Sequence, residues 1–193
     1  FNLFLMLGEV FRGWLLAEEG NTEEGLVRIQ QGMTLFQAIG AELGRPTYLG
    51  MLAEVCHRLG RVEEAQAALA EALDVVERTG LHYWDAELQR LKGTLALSSR
   101  LPLLSSRRGE LTSAEAAAEA ELCFLAAIEI ARRQQARFCE LRATVSLCRL
   151  WRAQGKDREA QALLSQIYVW FTEGFTTPDL KEAKDLLADL GQR

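Results

Sequence analysis

The chain has 193 residues, 49% hydrophobic and 25% charged, a makeup typical of folded proteins and sufficient for a sizeable buried core. Its formal net charge of −5 argues against general affinity for nucleic acid, which needs a basic field. The opening run Phe1-Asn2-Leu3-Phe4-Leu5-Met6-Leu7 is broken by Glu9 and Arg12, so it falls short of the roughly 20 apolar residues of a membrane span and has no signal-peptide pattern.

Long Ala/Leu/Glu/Arg/Gln stretches and only three prolines favour helix almost throughout. The first helix is expected from Leu3 to Glu19, with Leu7, Val10, Phe11, Trp14 and Leu15 on its apolar side and Gly20 ending it. A start without Met, inside an apolar helical pattern, is expected of a piece excised from a longer protein. Asn21 is placed to cap the second helix, whose Leu26, Ile29, Met33 and Phe36 recur at helical spacing up to Gly40.

Pro46 opens the third helix, which runs through Leu49, Leu52 and Cys56 to Gly60. The fourth spans Val62 to Arg78 and stops at Gly80; the fifth begins around Tyr83-Trp84 and reaches about Ser99. Residues 100–112, with Pro102, paired serines, Arg107-Arg108 and Gly109, read as an inserted loop. Helices resume from Ser113 to about Gln134, Arg137 to Gln154 and Asp157 to about Phe171. A last helix, Pro178 to Leu190, follows Thr177 as N-cap and stops at Gly191. It places Leu180, Ala183, Leu186, Leu187 and Leu190 on one stripe, as a cap over a final apolar face would.

One unit is written four times. Gly25, Ala65, Ala120 and Ala160 lie 40, 55 and 40 residues apart in matching local sequence, the extra length falling in the insert. Asn21-Thr22-Glu23-Glu24-Gly25 matches Arg61-Val62-Glu63-Glu64-Ala65, and Gly155-Lys156-Asp157-Arg158-Glu159-Ala160 is a third copy. From each mark a small–x3–large–x2–small rule follows: Gly25/Ile29/Gly32, Ala65/Leu69/Ala72 and Ala120/Phe124/Ala127, with Ala160/Leu164/Ile167 departing only at its last position. Gly13, Ala53 and Cys148 stand twelve positions earlier, with Gly93 offset by the insert. Small side chains let two helices approach closely while the large one fills the space between neighbouring pairs.

These marks resemble the tetratricopeptide repeat, with a period nearer 40 than the roughly 34 of that family. Gly40-Ala41-Glu42-Leu43-Gly44-Arg45-Pro46, Ala131-Arg132-Arg133-Gln134-Gln135-Ala136, Trp170-Phe171-Thr172-Glu173-Gly174-Phe175 and Pro178-Asp179-Leu180 are similar to the C-terminal repeat region of large bacterial signalling proteins. Those proteins join a class III adenylate/guanylate cyclase or a transcriptional regulator to a signal-transducing ATPase. The resemblance implies a cytoplasmic sensor or scaffold segment, with catalysis in domains that this sequence does not contain.

The expected architecture is all-α: a single domain over 1–193, a right-handed α-α superhelix of hairpins at about 3–40, 46–80, 83–134 and 137–171 with a capping helix at 178–190. The expected function is non-catalytic, a protein-interaction or regulatory module that binds a partner peptide or neighbouring domain, with no cofactor and no nucleic-acid or membrane partner. The alternative is a small-molecule effector sensor controlling an attached ATPase, cyclase or regulator.

No phosphate-cradling glycine loop occurs. Cys56, Cys123, Cys139 and Cys148 form no CxxC pair and read as buried thiols of a reducing compartment, while His57 and His82 have no ligand or base partner at a recognisable spacing. Trp14, Trp84, Trp151, Trp170 and Phe171 read as packing between hairpins, with Trp14 turned inward. The first helices of such hairpins line a concave groove, which is expected to receive Trp14, Glu18, Thr47, Glu54, His57, Arg58, Glu87, Arg90, Arg142, Arg149 and Arg152. Arg142, Arg149 and Arg152 share one helix side and suit an acidic peptide. Leu3, Phe4, Leu7 and Phe11 are an expected homodimer contact.

Overall fold

The computed structural model describes residues 2–38, 42–98 and 113–191. Among the described residues there are nine α-helices and no strand: α1 (Asn2–Glu18), α2 (Thr22–Ala38), α3 (Arg45–Arg58), α4 (Val62–Thr79), α5 (Asp85–Ser98), α6 (Ser113–Arg133), α7 (Arg137–Ala153), α8 (Asp157–Tyr168) and α9 (Pro178–Leu190). Residues His82–Trp84 form a 3₁₀ turn, so the fifth α-helix begins at Asp85, just after the expected Tyr83-Trp84. The expected inserted loop at 100–112, the helix stop at Gly40, and the side chains of Leu3 and Phe4 lie outside the described residues.

One backbone corner recurs. The N–H groups of Asn21, Arg61, Ala136 and Lys156 donate to the carbonyls of Leu16, Cys56, Ala131 and Trp151, five residues back, at 2.8–2.9 Å. The residue just before each donor is left-handed: Gly20, Gly60, Gln135 and Gly155, with φ of 95°, 73°, 57° and 77°. This is the 6→1 bond that closes a helix end on its own carbonyls. Glycine adopts that conformation without strain, whereas Gln135 holds it as a residue with a side chain, whose Nε2 donates to Arg132 O at 2.9 Å.

Two end signals behave differently from expectation. Thr177 has the extended backbone of an N-cap, but its hydroxyl donates to Gly174 O at 2.8 Å and caps no N–H of α9. Gly191 ends α9 with φ −80, so its role there needs no left-handed geometry. Pro46 does sit in the first turn of α3, as expected.

The chain divides into two units, Phe1–Trp84 and Asp85–Arg193. In the first, α1 packs on α2 and α3 on α4, and α3 also meets α2 and α1. In the second, α5 packs on α6 and α7 on α8, while α7 also meets α5, α6 and α9. Gly25, Ala65, Ala120 and Ala160 are all buried, as are Ile29, Leu69, Phe124 and Leu164.

The small residues sit where helices touch. A Cβ added to Gly13 would lie 2.6 Å from Gly25 O and 2.8 Å from Ile29 N, closer than non-bonded atoms tolerate. Gly93 would meet Phe124 Cε1 at 2.7 Å and Ala120 O at 3.1 Å. In the last pair Cys148 Sγ–H donates to Ala160 O at 3.2 Å. Leu180, Ala183, Leu186 and Leu190 of α9 join Leu141, Cys148, Leu164 and Ile167 in one core, while Lys181, Lys184 and Asp185 stay exposed.

Candidate functional site

In the first unit, α1 and α3 meet through residues 40 apart. Trp14 Nε1 donates to Glu54 Oε2 at 3.5 Å, and Arg58 donates to Glu18 while its Nη2 stays 3.5 Å from Glu54 Oε1. Both long-range contacts repeat the sequence period, which sets equivalent positions of two successive helical pairs against each other. Burial works against the Arg58 charge, but the hydrogen bond to Glu18 and the attraction of Glu54 outweigh it and raise its pKa.

Thr47 is buried and its Oγ1 donates to Tyr83 Oη at 3.3 Å. Neighbouring Tyr48 has its phenol raised by burial first and by Tyr83 second. His57 is half-buried on α3, and His82 is exposed in the 3₁₀ turn.

Beside this network stand two residues that the sequence pattern places on the apolar side of the first helix. Phe11 is 42% and Leu15 54% exposed, with Phe11 edge-on to Tyr48 at 6.4 Å. The reason is angular. Residues advance about 100° each around a helix; Val10, Gly13 and Ala17 fill the buried arc of α1 and Trp14 faces α3, leaving Phe11 and Leu15 beyond the contact.

In the second unit, Glu87 is 3% exposed, and its Oε1 receives Arg90 Nε at 2.8 Å and Arg142 Nη2 at 3.1 Å. Its Oε2 is buried without a hydrogen-bond partner among the described residues. Cys139 lies close by; burial raises its pKa, the charge of Glu87 adds to this, and Arg142 and Arg90 oppose it. Arg149 Nη2 pairs with Glu182 Oε1 at 2.7 Å, and Arg152 Nη1 with Asp189 Oδ2 at 2.8 Å, both carboxylates belonging to α9. Each of the three arginines expected to receive an acidic peptide therefore holds a carboxylate of its own unit.

Nine of the eleven expected groove residues thus fall into three local sets, while Thr47 bonds Tyr83 and His57 stands half-buried on α3. Trp14, Glu18, Glu54 and Arg58 come together, as do Glu87, Arg90 and Arg142; Arg149 and Arg152 join the α9 acids. Those α9 partners are invisible to helical spacing, since they depend on how the last helix lies on α7.

The thiols are withdrawn from chemistry. Cys56, Cys123 and Cys148 are buried and Cys139 is half-buried. Burial pushes Cys56 up to about 11 and Cys148 up to about 12. Among the described residues no group of three or more His, Cys, Asp or Glu side chains is placed to hold a metal ion, and no helix is long and apolar enough to cross a membrane.

Two further surfaces lie in the second unit. Trp151 Nε1 donates to Glu121 Oε1 at 2.8 Å, a packing role, whereas Trp170 is 55% exposed with Arg137 5.4 Å above its ring. A cavity of about 790 Å³ opens among α5, α6 and α7, floored by Leu97, Phe124 and Leu150 and edged by Thr94, Ser146 and Arg149. The Thr94 and Ser146 hydroxyls donate to the carbonyls of Arg90 and Arg142, leaving their lone pairs as acceptors.

No protein-family model matches the chain. An uncharacterized protein of Rhizobium meliloti (strain 1021) is 33% identical over 138 residues, which is 72% of this chain. The match covers 12% of that protein, so the chain spans only a small part of its relative.

Proposed function

We propose that the chain is a non-catalytic scaffold segment, a right-handed superhelix of tetratricopeptide-like hairpins in one domain, that binds a polypeptide on its first-of-pair helices α1, α3, α5 and α7. The observation that supports this most directly is the 40-residue contact of Trp14 with Glu54 and Glu18 with Arg58, beside the exposed Phe11 and Leu15. Repeats of one unit present equivalent side chains along one face, and large apolar side chains left there are suited to a partner. The resemblance to bacterial multidomain signalling proteins fits a cytoplasmic segment whose output is an attached ATPase, cyclase or regulator. Hydrogen exchange with a saturating bound peptide tests the reading. Protection is expected on α1, α3, α5 and α7; protection confined to α2, α4, α6 and α8 would refute it.

The cavity floored by Leu97, Phe124 and Leu150 favours a second reading, an effector sensor, because its volume is within the range of small-molecule sites. A thermal-shift screen of metabolites decides between them. A true effector at about 100 times its Kd stabilises by about 2.7 kcal/mol, and Phe124→Leu should alter that response.

A further inference from the structure

We propose that the α1/α3 face of the first unit receives a polypeptide segment presenting an apolar side chain beside a lysine or arginine. The proposal rests on the partner-binding reading above and gives that partner a chemistry.

Two properties coincide on this face. Phe11 and Leu15, one turn apart on α1, leave an apolar ledge, 42% and 54% exposed. Next to it the Arg58 guanidinium pairs with both Glu18 and Glu54.

The surrounding field has the same sign. Residues 1–84 carry six arginines, no lysine and twelve acidic side chains, a formal charge of −6. Residues 85–193 carry sixteen basic and fifteen acidic side chains, a formal charge of +1. The chain's acidity is therefore concentrated in its first unit, where it attracts cationic segments and repels nucleic acid and anionic lipid. An acidic segment would fit less well on the second unit, because it would have to displace Glu87, Glu182 and Asp189 from Arg142, Arg149 and Arg152.

A random peptide library displayed on phage, selected on the whole chain, tests this. Selected peptides should join leucine, phenylalanine or tryptophan to lysine or arginine. Their affinity should fall about tenfold or more with Leu15→Ser and with Glu18→Lys, and should weaken as salt is raised. Both positions are exposed, so unchanged circular dichroism and thermal unfolding will show that the fold persists. Acidic or neutral peptides that still depend on Leu15 would overturn the basic partner and leave the partner-binding face standing. A selection that yields no Leu15-dependent peptide, or no peptide at all, would overturn this proposal. If hydrogen exchange also maps binding to the second-of-pair helices, the partner-binding reading falls with it.

Discussion

Arg142 and Arg90 of the second unit converge on the carboxylate of Glu87, whose side chain is 4% exposed, while Arg58 of the first unit reaches Glu18 and Glu54 with a third of its own side chain in water. The residue types are the same, but the surroundings set different roles. Removing one partner from a buried ion cluster strands a charge in low dielectric, whereas an exposed pair exchanges its partners for water at little cost. The first arrangement fixes how helices sit. The second leaves Glu18 and part of Arg58 in contact with water.

The sharpest test of that contrast is Glu87→Ala. It leaves Arg90 and Arg142 without their shared carboxylate and should destabilise the chain by about 3–5 kcal/mol in denaturant unfolding. Next comes Gly25→Val, whose Cβ would run into the Gly13 carbonyl and lie 2.9 Å from Ala17 N. Separating α1 from α2 to make room should cost about 1–3 kcal/mol, read from the unfolding midpoint. Arg58→Ala should lower stability by less than about 1 kcal/mol. A loss as large as that of Glu87→Ala would erase the distinction between the units.

The thiols supply a pH test in each unit. Cys56 and Cys148 titrate in the folded chain near 11 and 12, above their ordinary value of 9.0. Below pH 9 both are neutral whether folded or not, and they add no pH dependence. Above it the unfolded chain releases protons that the folded chain retains, so stability falls as pH rises. Alkaline unfolding curves of Cys56→Ala and Cys148→Ala should therefore be flatter than those of the parent, and thiol labelling should reach half-buried Cys139 before either. The smallest expected effect is Gln135→Gly, which relieves a left-handed side-chain residue and should raise stability by about 0.5–1 kcal/mol.

Helices, their small-residue register and the left-handed glycine at Gly20 were legible because each is a local consequence of spacing and backbone freedom. Trp14, Glu18, Glu54 and Arg58 were expected on one face from the same period, but the bonds from Trp14 to Glu54 and from Arg58 to Glu18 were not. Exposure of Leu15 was not legible, since a helical pattern identifies an apolar arc without saying how much of it a neighbour covers. The partners of Arg149 and Arg152 were hidden for a related reason: Glu182 and Asp189 lie 33 and 37 residues away, and only the packing of α9 brings them near. Thr177 shows a third limit. Its hydroxyl has two local bonds to choose between, and the bend at Gly174 takes it from the cap.

The recurring corner has a consequence for sequence drift. Because it is closed by main-chain atoms, it requires only one residue tolerant of left-handed geometry, and the slot that follows is held by Asn21, Arg61, Ala136 and Lys156. Polar, cationic and methyl side chains are interchangeable there. In relatives of this chain these slots should therefore vary freely in charge and size, while the counterparts of Gly13, Gly25, Ala120 and Ala160 stay small.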